Sequence, residues 1–333
     1  MRAALIACLL AACSPATREP ALSVDAGHEP SAAPSAGAAP PRWTPDPGWA
    51  AAPLDLGPTH GGLVFDRAGR LWAGTDGPHG VVAFAPDGEF VASIPGLSGS
   101  HALMLHDVDG EERLLVAQLS RHRIVEARLD GTELWELGAP LECGAYAQPA
   151  DFNPTAVALA PDGRLFVADG YGSSLIHEYD GQHRWLRSFA GPGEGPGQCH
   201  VPHGLAIDTR FGEPRLLVCD RENRRLLHFD LDGNFLGIYA QGLRRPCTVA
   251  FLGDRVAVAE LEGRVALLDR DGTLLAAVGD NADAGQRANF EVAPSDWRTD
   301  VLCAPHAVAF DDAGDLFVED WNRTGRVSRF ARE

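Results

Sequence analysis

The sequence predicts an all-β chain whose ordered part is a six-bladed β-propeller, because short β-rich runs separated by turn signals recur in units of about 40–60 residues. Asp-Gly stands between such runs at 87–88, 109–110, 130–131, 162–163, 180–181, 232–233 and 271–272. That pair favours the positive φ a tight hairpin needs. The chain holds 37 glycines against two methionines and has almost no long helix-forming run, which again reads as many turns and short strands.

From the N-terminus, residues 1–12 pair Arg2 with an apolar run that ends Leu10-Ala11-Ala12-Cys13. This resembles a bacterial lipoprotein signal, in which cleavage precedes Cys13 and its thiol carries lipid. The run is too short to span a membrane, which takes ~20 apolar residues. The expectation is export to the bacterial cell envelope with a membrane anchor through lipid at Cys13. Residues 13–49 hold eight of the 24 prolines amid Ala and Ser, and read as a disordered tether.

Residues 50–333 carry the six units. The clearest copy runs 155–159, Asp162-Gly163, 164–168, Asp169-Gly170-Tyr171 and 174–179; the others begin near Gly61, His101, His203, Cys247 and His306. Only three strands are evident in the last copy, at 307–310, 316–319 and 326–330. Its fourth is expected from 51–56, so that the two chain ends pair and the ring loses its open edges.

Lys and Arg number 28 against 46 Asp and Glu, a net charge of −18 that excludes a nucleic-acid partner. No Gly-x-Ser-x-Gly elbow or phosphate-binding Gly-x-x-x-x-Gly-Lys occurs. The glycine-rich stretch 191–197 contains prolines that remove the N–H donors of a phosphate cradle, and it reads as an inter-blade loop. Once Cys8 leaves with the leader and Cys13 is lipidated, Cys143, Cys199, Cys219, Cys247 and Cys303 remain. Export permits a bridge among Cys143, Cys199 and Cys303 in the inter-blade loops, with no pairing fixed by spacing. The protein is expected to be a monomer.

Three of the twelve histidines share one place in the repeat: His101 in Ser-His-Ala-Leu-Met, His203 in Pro-His-Gly-Leu-Ala and His306 in Pro-His-Ala-Val-Ala. Each opens the first strand of its unit, which lines a propeller's central channel, and the three units alternate around the ring. Three imidazoles converging on the axis with one open position is the ligand pattern of catalytic zinc. Drift of a repeated sequence would produce the same spacing without a metal. His60 reads as a rim residue, and His79, His106, His122, His177, His183, His200 and His228 as surface or loop. The loops between second and third strands open on the same face and carry Asp76, Arg121, Tyr171, Arg221-Glu222-Asn223 and Trp321-Asn322-Arg323. Arg221 and Asn223 could equally stitch neighbouring blades together. Cys247 occupies the fifth unit's histidine position, where metal binding would need companions from odd-numbered blades, and these are absent.

These residues resemble peptidyl-α-hydroxyglycine α-amidating lyase, a six-bladed propeller of the NHL-repeat type. The likeness is densest from 152 to 229, through Pro154-Thr155, Ala168-Asp169-Gly170-Tyr171, Gly195-Pro196-Gly197-Gln198, Pro202-His203-Gly204 and Asp220-Arg221-Glu222-Asn223. Pro305-His306 and, more loosely, Ser100-His101 extend it. The resemblance implies zinc on His101, His203 and His306, Tyr171 as catalytic base or hydroxyl partner, and Arg221 as a substrate-orienting group. It implies a small peptide substrate whose C-terminal α-hydroxyglycine is cleaved to a peptide amide and glyoxylate. Two positions depart from the pattern. Asp76 stands where the family has an arginine, and Ala307 stands where the family has an acidic residue for structural calcium, which argues against calcium. The rival expectations are a noncatalytic propeller lipoprotein that binds protein or glycan, and a calcium-dependent lactonase, which would want carboxylates and Asn on the axis.

Overall fold

The computed structural model describes residues 42–49 and 56–333. The leader, Cys13, most of the tether and 51–55 lie outside the described residues. Strands fall into six four-stranded antiparallel sheets, as expected, and five of them are built from consecutive strands. Blade 1 spans 59–94, blade 2 100–137, blade 3 156–190, blade 4 202–241 and blade 5 246–278; blade 6 joins 305–332 to an N-terminal strand.

Burial explains the sequence pattern of each blade. Second and third strands such as Leu71–Thr75, Leu165–Ala168 and Val81–Phe84 are buried along their whole length between neighbouring sheets, so they read as continuous apolar runs. Outer strands such as Phe90–Ile94 alternate exposed and covered residues, the period of a half-buried strand. Six of the seven Asp-Gly turns place their glycine at positive φ. At 180–181 the glycine does not; His183, at φ 60, supplies the left-handed residue of a longer loop.

Ring closure by an N-terminal strand holds, but the strand is Trp43–Pro45, inside the stretch read as tether. It pairs with Arg326–Arg332 through Trp43↔Arg332 and Pro45↔Phe330. The reason is apolar area. Trp43 is buried against blades 5 and 6, its indole N–H donating to the Gly314 carbonyl (3.0 Å), and Trp49 packs edge-on to Phe317 at 4.9 Å. A Pro/Ala-rich composition masked these two side chains. Pro45 sits on the outer edge of the sheet, where its missing N–H costs no ladder bond.

Two further expectations change. Cys143, Cys199, Cys219, Cys247 and Cys303 are all free thiols, because Cys199 is buried in the core between blades 3 and 4 while Cys303 and Cys143 lie at other junctions. His177 and His228 are buried rather than superficial: His177 bonds the Tyr146 hydroxyl (2.6 Å) and Ser188 (2.7 Å), and His228 bonds Asp208 (3.0 Å). The glycine-rich loop turns its carbonyls outward to receive Asn223 and Arg225, the opposite polarity to an anion cradle.

Candidate metal centre

A shared device aims one residue at the axis in each of four blades. In blades 2, 4, 5 and 6 the register of the first strand skips one residue against the second, as between Pro202↔Asp220 and Gly204↔Cys219. The residues left unpaired are His101, His203, Cys247 and His306. A bulge bends the strand and re-aims that side chain. In blades 4, 5 and 6 the chain just before it is fixed by a carboxylate at the end of the second strand. Asp220 accepts from the His200 N–H (2.7 Å), and Asp320 from those of Cys303 and Ala304 (3.1 and 2.8 Å). Arg225 and Arg326 from the third strands balance those buried charges. Two residues ahead of the axial side chain, Gly99, Val201 and Arg245 lie at φ 71, 61 and 58. For Val201 this conformation costs on the order of 1–3 kcal/mol, strain held at the approach to the site.

The rings of His101, His203 and His306 come together, with centroids 4.6, 4.7 and 4.9 Å apart and at most 1% exposed, but the sets whose ligand atoms all fall within 4.8 Å of one another are His60, His101, His306 and His203, Cys247, His306. His101 donates from Nδ1 to the Thr155 carbonyl (2.7 Å), and His203 from Nδ1 to the Cys247 carbonyl (3.0 Å). Those bonds fix the tautomer and leave each Nε2 as a lone pair facing inward, the outer-shell pattern of metal-bound histidine. Gly204 makes the second bond possible: a Cβ there would lie 2.3 Å from that same Cys247 oxygen. Burial drives all three imidazoles well below their ordinary pKa, so they are neutral.

The Tyr171 hydroxyl sits between two of these rings, 3.3 Å from His101 Nε2 and 3.1 Å from His203 Nε2, and accepts a bond from Arg221 Nη1 (2.9 Å). Arg221 also lies over the Tyr171 ring at 5.2 Å. Burial raises the Tyr171 pKa, and the adjacent guanidinium opposes that rise. One phenolic proton cannot serve two lone pairs, and both nitrogens of buried His306 lack any partner. The donor set is therefore rich in unsatisfied lone pairs, which is what a resident cation would satisfy.

Two residues were misplaced by sequence reasoning. His60 is no rim residue: its ring lies 4.5 Å from His101 and 4.4 Å from His306, and the ligand atoms of His60, His101 and His306 fall within 4.8 Å of one another. Cys247 likewise has companions, from even-numbered blades, since its sulfur shares a second such set with His203 and His306. Burial pushes that thiol up to about 12, so it stays protonated. The signal for His60 was present in Thr59-His60-Gly61-Gly62, whose extra residue shifts it one place from the other histidines. Of the remaining loop residues, Asn223 binds Gly193 O and Asp220 and is a blade stitch, whereas Arg221 belongs to the site. Arg323 is paired with Glu291 and Arg121 is exposed, so neither compensates Asp76; Asp76 instead faces His60, Nδ1 to Oδ2 3.8 Å.

No family model matches the sequence. The chain is similar to the peptidylglycine α-amidating monooxygenase of Mus musculus, 32% identical over 132 residues that cover 38% of this chain and 13% of the mouse protein. A probable peptidyl-α-hydroxyglycine α-amidating lyase of Caenorhabditis elegans is 29% identical over 175 residues, covering 50% of this chain and 46% of its own. The match thus spans under half of each relative. Among solved structures, a streptogramin B lyase superposes with a TM-score of 0.59 over 87% of this chain and 98% of its own, at 11% identity. A gluconolactonase from Xanthomonas campestris gives 0.61 over 84% and 87%, at 16% identity. At that identity they share the fold alone. The chain is a six-bladed propeller resembling the amidating lyases, and it stands beside propeller enzymes.

Proposed function

We propose that this protein is a zinc-dependent lyase that cleaves the N–Cα bond of a C-terminal α-hydroxyglycine, or of a closely related carbinolamide. The observation that carries the reading is the Tyr171 hydroxyl placed between the inward Nε2 atoms of His101 and His203 with Arg221 donating to it. His101, His203 and His306 would hold the zinc, and bound zinc supplies Lewis acidity that lowers the pKa of a hydroxyl near it. In the reaction the substrate hydroxyl loses its proton, its C–O bond becomes the carbonyl of glyoxylate, the N–Cα bond breaks, and the amide nitrogen takes up a proton. Tyr171 Oη could carry that proton between the two events only from its phenolate form, which the Arg221 guanidinium and a bound zinc would favour. Arg221 keeps the hydroxyl in position and offers a cation to the substrate carboxylate.

Asp76 counts against the unmodified family substrate, since its carboxylate adds negative charge where the relatives' pattern has a cation. Burial raises Asp76 to about 6, which leaves it largely ionised at neutral pH. The chain is further proposed to be exported, monomeric and lipid-anchored at Cys13. The support is the Leu10-Ala11-Ala12-Cys13 motif. Replacing Cys13 by Ser should move the protein from the membrane to the soluble fraction.

The test of the reaction is glyoxylate release from an α-hydroxyglycyl peptide by zinc-loaded protein, wild type against His203→Ala. Release by wild type and its loss in the variant are expected. Zinc binding without glyoxylate would sink the lyase assignment. A metal-free wild type purified without chelator would leave the noncatalytic binding propeller.

A further inference from the structure

We infer that His60 is a fourth nitrogen ligand of the axial metal, with the Asp76 carboxylate beside it. This rests on the metal reading above and goes beyond it, because a three-histidine site leaves its fourth position open. Three independent features place His60 there. Its ring lies as close to His101 and His306 (4.5 and 4.4 Å) as those rings lie to each other, and the ligand atoms of the three fall within 4.8 Å. Its Nδ1 lies 3.8 Å from the Asp76 carboxylate, within ion-pair range but beyond the hydrogen-bond distances of 2.7 and 3.0 Å at which the Nδ1 atoms of His101 and His203 meet carbonyl oxygens. A shift that closes this contact to a hydrogen bond would give the carboxylate–histidine–metal arrangement with Nε2 as the ligand atom.

The third feature is the backbone. In blade 1 the register runs from Thr59↔Thr75 directly to Leu63↔Ala73, so His60, Gly61 and Gly62 all stand opposite Gly74. This bulge is one residue longer than those of the other blades. Only glycine fits it: a Cβ on Gly61 would lie 2.4 Å from the Gly74 Cα, and Gly62, at φ +92, would bring one within 2.8 Å of the Leu103 nitrogen. The Gly62 N–H is pinned by buried Glu319 (3.0 Å). A bulge built at that steric price, with a histidine at its head, sets the imidazole on the axis. With the fourth position filled, a small anion finds no open place on the ion.

The experiment loads wild type, His60→Ala and Asp76→Asn with cobalt(II) and titrates each with azide while recording the visible d–d spectrum, with metal stoichiometry measured in parallel. Wild type should bind one ion and resist azide. His60→Ala should bind one ion and shift its spectrum on adding azide, because the variant exposes an exchangeable position. Asp76→Asn keeps the side-chain volume and should weaken metal binding by about 10–100-fold, the usual loss when the carboxylate behind a metal-bound histidine is removed. If wild type binds one ion and responds to azide as His60→Ala does, His60 is no ligand and the inference fails while the zinc site stands. If wild type binds no cobalt or zinc, the metal reading itself falls.

Discussion

Gly204→Ala tests how the ring of blades tunes its axial histidines. The added methyl would stand 2.3 Å from the Cys247 carbonyl oxygen and 3.1 Å from the Thr248 Cα. Ordinary contact needs at least 3.4 Å, so the first strand of blade 5 must retreat by roughly 1 Å. The Cys247 oxygen is the acceptor that holds His203 Nδ1 at 3.0 Å, and a retreat of that size breaks the bond. Losing an outer-shell partner of a metal-bound histidine costs about 10–100-fold in affinity, or roughly 1.4–2.7 kcal/mol. Overpacking lowers fold stability separately, by about 1–3 kcal/mol. Zinc affinity measured by chelator competition, beside a urea melt of the metal-free protein, separates the two effects. Gly138→Ala, whose Cβ meets nothing within 4 Å, is the control and should change neither. Unchanged zinc affinity in a destabilised Gly204→Ala would refute the argument, because the contact would then serve packing alone.

Tyr171→Phe keeps the ring over which Arg221 lies and removes the hydroxyl; glyoxylate release should fall by about 10²–10⁴-fold with metal stoichiometry unchanged, and retained activity would exclude Tyr171 as proton carrier. Burial lowers His60 and His177 to about 4, so below pH 6.5 the unfolded chain takes up protons that the folded one refuses. The metal-free protein should therefore be most stable above pH 6.5 and lose stability as pH falls toward 4, by roughly 3 kcal/mol per ring; equal urea midpoints at pH 7 and pH 5 would contradict this. Glu319 is raised well above its ordinary range by burial, and its Oε1 has no partner. Glu319→Gln should gain stability relative to wild type at pH 8 more than at pH 5, because only the wild type must ionise, or hold a proton against solution, as pH rises.

The architecture was legible because each blade repeats one physical problem. A strand buried on both faces, a turn requiring positive φ and a half-exposed outer strand leave the same marks in every copy, and His101, His203 and His306 could be aligned by those marks. What failed did so where the repeat is locally broken. His60 sits in a bulge one residue longer than the others, so counting places from the first strand put Gly61 at the axis instead. Trp43 and Trp49 are hidden in a proline-rich stretch, and composition averaged over that stretch outweighed two large apolar side chains. Cys247 was judged by the parity of its blade, although the axis is narrow enough for His203 and His306 to reach it. His177 and His228 lie on the third strands of blades 3 and 4, where a polar partner such as Tyr146 or Asp208 makes a buried imidazole tolerable. No single-strand pattern announces such a partner, because it arrives from a distant part of the sequence.

The central claim is that the axial imidazoles form a metal site. It is tested most directly by elemental analysis of protein purified without chelator, wild type beside His101→Ala, His203→Ala and His306→Ala, each checked for native β-sheet content by circular dichroism. About one zinc per wild-type chain and a marked loss in every folded variant are expected. Wild type without metal, or variants that keep theirs, would contradict it.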